Sequence, residues 1–155
     1  MPNYSMDNDA DFWQAPEAFK PLLALAKTIG TRGSWFALGD PNDENTPMAV
    51  VLDMKPGYVI TRHAHPCSRL EVVVRGTLDT GDKVLVPGDI MYSDADEFYG
   101  PKVAGPDGCT TLEVFATVTG ASYRITEEAD GSITSTNLVK DFATAFKHAL
   151  PANAG

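Results

Sequence analysis

The sequence predicts an all-β domain, an antiparallel sandwich or barrel with a short helix at either end. Three observations carry this reading. Between Ser34 and Thr136 short apolar runs recur roughly every 8–12 residues, each closed by Gly, Pro or Asp. Runs such as MAVVLDM, LEVVVRG and TTLEVFATV are rich in β-branched residues, which suit a pleated, half-buried surface. Helical spacing of apolar residues is confined to 16–30 and 137–150. At 155 residues the chain is read as one domain. An N-terminal arm and short helix take 1–33, the β-barrel takes 34–136, and a C-terminal helix and tail take 137–155.

The elements follow in chain order. Residues 1–15 read as a disordered or loosely docked arm, with Phe12 and Trp13 able to pin it and Asp7, Asp9 and Asp11 as a solvated charge cluster. In 16–30, Pro16 or Pro21 suits a first helical turn and Gly30 a stop, while Phe19, Leu22, Leu23, Ala26 and Ile29 share one face. The strands are read from MAVVLDM, YVITRHAH, LEVVVRG, KVLVPGD, TTLEVFATV and SYRITEE. Asp79-Thr80-Gly81-Asp82 and Asp130-Gly131 are turn chemistry. In 137–150, Leu138, Phe142, Phe146 and Leu150 recur at helical spacing, with Ser135 or Thr136 as cap and His148 in the last turn, where an imidazolium suits the helix dipole.

Charge and composition exclude several functions. A net charge of −9 disfavours nucleic acid and anionic membrane as partners, because both need a cationic face. No run of about 18 apolar residues suggests a membrane span. The first residues are polar and acidic, unlike a signal peptide, so a cytoplasmic protein is expected. Cys67 and Cys109 are too few for a disulfide framework and are read as reduced thiols, one of them in a core.

Two of the three histidines, His63 and His65, stand at i and i+2 of an expected strand, so both rings lie on one face and can reach one divalent metal. By the same parity Arg69 and Glu71 share a face. Glu113 is an acid inside an otherwise apolar run and needs a partner if buried.

The segment Gly57-x5-His63-x-His65-x3-Arg69-x6-Gly76 resembles the first motif of the cupin superfamily. Gly81 and Pro87-Gly88-Asp89, with the stretch from Ser93 to Tyr99 after them, resemble the region of its second motif. The resemblance covers residues 48–118 and implies a cupin-type antiparallel β-barrel or jelly roll. Four positions depart from the pattern: Arg69 stands at the motif-one glutamate, Tyr99 at the motif-two histidine, and Asp94 and Asp96 at the motif-two proline and glycine. An arginine stays protonated and cannot ligate a metal.

The resemblance implies a divalent transition metal (Fe, Mn, Ni or Zn) held by His63, His65 and a third ligand. Glu71 is the first choice for it, with Glu97, Tyr99 and Glu113 as alternatives. Arg69 is expected to dock an anionic substrate, or else to pair with Glu71 or Glu113. Tyr99 is expected to orient the substrate or move a proton. The implied function is a small metal-dependent enzyme, dioxygenase-like, acting on a small oxygenated organic molecule. A metal-dependent lyase or isomerase and a non-catalytic ligand-binding or sensory cupin are the alternatives. Family analogy further implies a homodimer.

Overall fold

The computed structural model describes residues 3–141 of the chain. It holds 43% strand and 15% helix, an all-β architecture. Strands β1 (Thr31–Ala37), β2 (Met48–Met54), β4 (Arg69–Asp79), β5 (Val84–Leu85) and β7 (Lys102–Phe115) form one sheet in the order β1-β2-β7-β4-β5. The short strands β3 (Val59–Ile60) and β6 (Ile90–Ser93) add to β7 and β4 respectively. β8 (Tyr123–Glu127) and β9 (Ile133–Asn137) make a separate hairpin. Every pairing is antiparallel.

The segment from Thr61 to His65 ties the two sheets together. His63 exchanges backbone hydrogen bonds with Tyr99 at 3.1 and 3.0 Å, and its neighbour Ala64 does so with Ile125 at 2.9 Å each way. Successive residues of an extended chain face opposite edges, so this one segment closes the barrel between residue 99 and β8. It is therefore bridged on both sides rather than built into one continuous strand, which corrects the expectation of a strand running from Tyr58 to His65.

Alternation sets what faces inward. On β4 the buried side carries Arg69, Glu71 and Val73; on β7 it carries Thr111, Glu113 and Phe115. The register puts Arg69 opposite Phe115, Glu71 opposite Glu113 and Val73 opposite Thr111. Further along the same strands the interior turns apolar, with Val73, Leu78, Ala104 and Cys109 packed against Met54 and Leu85. Gly76 has a φ of +72°, and a Cβ there would meet the carbonyl of Gly108, so both the backbone angle and the close strand approach require glycine.

The expected first helix is α1 (Lys20–Ile29), preceded by a short 3-10 turn at Glu17–Phe19 and ended by Gly30 in the left-handed region. Leu22, Leu25, Ala26 and Ile29 are its buried side. Phe12 and Trp13 pin the arm as expected: the Ser34 hydroxyl donates to the Phe12 carbonyl at 2.5 Å, and Arg32 stacks 4.2 Å from the Trp13 ring. Asp7 pairs with Arg75 at 2.8 Å, both exposed.

Helix is not confined to the two ends, because α2 (Val118–Ser122) follows β7, its start capped by the Thr117 hydroxyl accepting from Gly120 N. At the C-terminal side Ser135 and Thr136 lie in β9 instead of capping a helix. Asn137 Oδ1 takes the N–H groups of Val139 and Lys140 at 3.0 and 2.9 Å. The expected helix beyond, with His148, lies outside the described residues. Both cysteines are buried free thiols, and burial pushes Cys109 up to about 11. Among the described residues no helix is long and apolar enough to cross a membrane.

Candidate functional site

A cavity of about 520 Å³ opens between α1 and the barrel end where the charged residues lie. His63 and His65 reach it from the closing segment, Arg69 from β4, Lys102 and Glu113 from β7, and Arg124 from β8.

The two imidazoles meet as their spacing predicts, with ring centroids 5.2 Å apart. Each is fixed through Nδ1, which donates to a carbonyl: Thr61 O at 2.7 Å for His63 and Gly120 O at 3.1 Å for His65. That leaves Nε2 as an acceptor on each ring. His63 Nε2 takes the Tyr99 hydroxyl at 3.0 Å. Burial, then Arg124 and its neighbour His65, hold His63 well below the usual imidazole range. Burial and Arg69 bring His65 down to about 3. Burial raises the Tyr99 phenol, Arg69 only partly opposing it. At neutral pH all three groups are uncharged.

Beside them lies a buried ion network. The Arg69 guanidinium spans both acids, with Nη2 2.6 Å from Glu71 Oε2 and Nη1 bonded to Glu113 Oε2. Lys102 Nζ stands 2.5 Å from the same Glu71 oxygen. Arg69 also lies 4.1 Å from the Tyr99 ring centroid, and Lys102 4.9 Å from it. Burial pushes Glu71 up, but Lys102 and Arg69 outweigh it and leave this carboxyl below its ordinary range. For Glu113 burial wins, and its carboxyl is raised. Cross-strand neighbours of like charge would repel; the guanidinium between them is what lets Glu71 and Glu113 face each other.

Of the expected site residues, His63, His65, Arg69 and Tyr99 come together. Glu71 is spent as counter-ion to Arg69 and Lys102, rather than turned to the imidazoles as a third ligand. Glu113 is bound to Arg69, and exposed Glu97 bonds the Asp94 N–H at 2.9 Å. Among the described residues no three of His, Cys, Asp and Glu gather as a metal centre. A resident divalent metal does not fit this donor set. It offers two imidazoles and a phenol whose pKa is raised, with every nearby carboxylate already neutralising a cation. Arg69 and Lys102 would add repulsion to any ion placed there.

Sequence reasoning missed Lys102 and Arg124. Lys102 is 1% exposed, the largest fully buried side chain of the described chain. Arg124 is buried and donates to Thr61 through its carbonyl and hydroxyl. The available signal was a lone cation between apolar or aromatic neighbours, Tyr123 and Ile125 for Arg124, and the start of an apolar strand for Lys102.

No family model and no curated protein matches the chain. Solved structures do. An acetylacetone dioxygenase from Acinetobacter johnsonii covers 95% of this chain and 93% of its own, with a TM-score of 0.54 at 10% identity. An RmlC-like cupin protein from Ralstonia eutropha covers 76% of this chain and 73% of its own, at 0.53 and 13%. The chain has the cupin fold. A third structure, a protein of unknown function with a cupin-like fold from the same organism, covers 77% of this chain and 74% of its own, at 0.52 and 16%. Likeness at this identity concerns the barrel. The site of this chain, with Arg69, Lys102 and Arg124 around two neutral imidazoles, has to be read from its own residues.

Proposed function

We propose that this cupin is an enzyme that binds a small oxygenated organic anion, a carboxylate or a 1,3-dicarbonyl enolate, and moves a proton on it without a resident divalent metal. One observation carries the reading. In a chain of net charge −9, the described residues lining the cavity include the cations Lys55, Arg69, Lys102 and Arg124 against one lining acid, Glu113, with Glu71 behind it pairing Arg69 and Lys102. Two further features support it. Arg69 Nε is buried without a hydrogen-bond partner, a donor that a ligand oxygen would satisfy. The acetylacetone dioxygenase that shares the fold end to end is named for a 1,3-dicarbonyl.

In this reading His65 Nε2 accepts a proton from the carbon beside a carbonyl of the neutral dicarbonyl or of a keto carboxylate, and the enolate so formed is the anion that the cavity holds. The electron pair released moves onto the carbonyl oxygen, where the Arg69 and Arg124 charges stabilise it. The imidazolium then returns the proton to carbon. The Tyr99–His63 hydrogen bond holds the His63 ring in place behind the cavity, and the bound anion raises the affinity of His65 for its proton. The proposal departs from the metal-dependent, dioxygenase-like expectation because Arg69 stands where the motif has its glutamate.

The test is hydrogen–deuterium exchange at the central carbon of acetylacetone, followed by NMR with chelator-treated protein. Exchange faster than in buffer and lost in His65→Gln supports the proposal. Binding without exchange would convert it to a ligand-binding cupin without turnover, the reading favoured by the burial of His65 and Tyr99, which disfavours their charged forms. Stoichiometric transition metal in untagged protein, lost in the His63→Ala, His65→Ala double variant, would overturn the metal-free reading and restore the oxygenase.

A further inference from the structure

We infer that the anion taken by this cavity carries an apolar body, and that helix α1 sets how long that body is. The inference rests on the anion-binding reading above and adds what fills the rest of the space. Floor and roof of the cavity differ in kind. The floor is the ionic and imidazole cluster. The roof is Leu22, Leu25 and Ile29 of α1, with Trp35 of β1, Val50 of β2 and Leu138 beyond β9. All six are apolar. The three α1 residues are the buried side of a helix that lies outside the barrel and packs on its open end.

Size decides between a small ligand and an extended one. The cavity measures about 520 Å³. Even at a water's share of ~30 Å³ per heavy atom, a seven-atom anion takes about 210 Å³, less than half of it. Water does not fill the remainder well, because a site bounded by leucine, isoleucine, valine and tryptophan side chains offers it few of the polar partners it needs. An alkyl or aryl group fills it and is removed from water in doing so. The two-toned lining therefore selects an amphipathic organic acid, its oxygens on the Arg69, Lys102 and Arg124 side and its hydrocarbon under α1.

Calorimetric titration of the full-length protein with straight-chain carboxylates from butyrate to decanoate tests this, with octanol as the uncharged control. The expected result is a Kd that falls about three- to fourfold per added CH2 until the roof is full. Octanol is expected to bind at least tenfold more weakly than octanoate. Leu25→Trp, which fills the roof, is expected to cut the octanoate-to-butyrate affinity ratio at least tenfold; if that variant does not fold, the wild-type series decides alone. Equal affinity for butyrate and octanoate would overturn this inference and leave the anion site standing. Octanol binding as tightly as octanoate, or no carboxylate binding at all, would overturn the anion site as well.

Discussion

Strands β4 and β7 run the length of the barrel, and their inward faces differ from one end to the other. At one end Arg69, Glu71 and Glu113 lie buried and charged, joined by Lys102, whose side chain reaches Glu71 from the start of β7. At the other, Val73, Leu78, Ala104 and Cys109 pack as an ordinary apolar core. The same two strands, with register shifts between Val73 and Arg75 and between Gly76 and Leu78, therefore supply a plug and a pocket. The plug gains stability by removing hydrocarbon from water. The pocket removes four charged side chains from water, and their mutual pairing offsets a desolvation cost that the plug never meets. A replacement of that network by apolar side chains would fold; what it would lose is the cavity's charge.

The comparison breaks most sharply at Arg69. Arg69→Leu leaves Glu71 and Glu113 facing each other across two strands with Lys102 alone beside them. The expected loss of stability is about 3–5 kcal/mol, read by denaturant melts, together with loss of anion binding. Leu78→Ala is the matching cut in the plug: fully buried Leu78 leaves a hole that costs about 2–5 kcal/mol. Carboxylate affinity of the folded fraction should change less than twofold, because Leu78 does not line the cavity. If Leu78→Ala weakens binding as much as Arg69→Leu does, the two ends are not separable.

The pH dependence is the next smaller effect. His63 and His65 are both depressed below 6.5, His65 to about 3. The unfolded chain therefore binds their protons first. Stability is fully present above pH 6.5 and falls as the pH drops toward the folded values, by about 1.4 kcal/mol per pH unit for each histidine. Urea melts between pH 7 and pH 5 check this, and His65→Gln should remove about half of the slope. A flat profile would mean that the imidazoles are not desolvated as the cavity floor requires. Tyr99→Phe is the smallest change: it removes the hydrogen bond to His63 but keeps the ring under Arg69, for a loss of about 0.5–1.5 kcal/mol.

By itself the sequence determined what depends on near neighbours along the chain. The β-branched runs in MAVVLDM and LEVVVRG, the turn residues Gly81 and Gly131, and the helical face ending at Gly30 each encode a local backbone preference, and β2, β4, the two turns and α1 follow it. The i, i+2 spacing was enough to put His63 and His65 side by side, and the two motif-like segments were enough to name the barrel. Tertiary structure alone decided which of two partners each acid takes. Parity aimed Glu71 inward, but only the β4–β7 register and the arrival of Lys102, 31 residues away, made it a counter-ion instead of a ligand. Tertiary structure alone also concentrated cations in one cavity of an acidic protein. Net charge is a sum over the chain, whereas the field at a site is a sum over distances, and Arg69, Lys102 and Arg124 become neighbours only once the barrel closes.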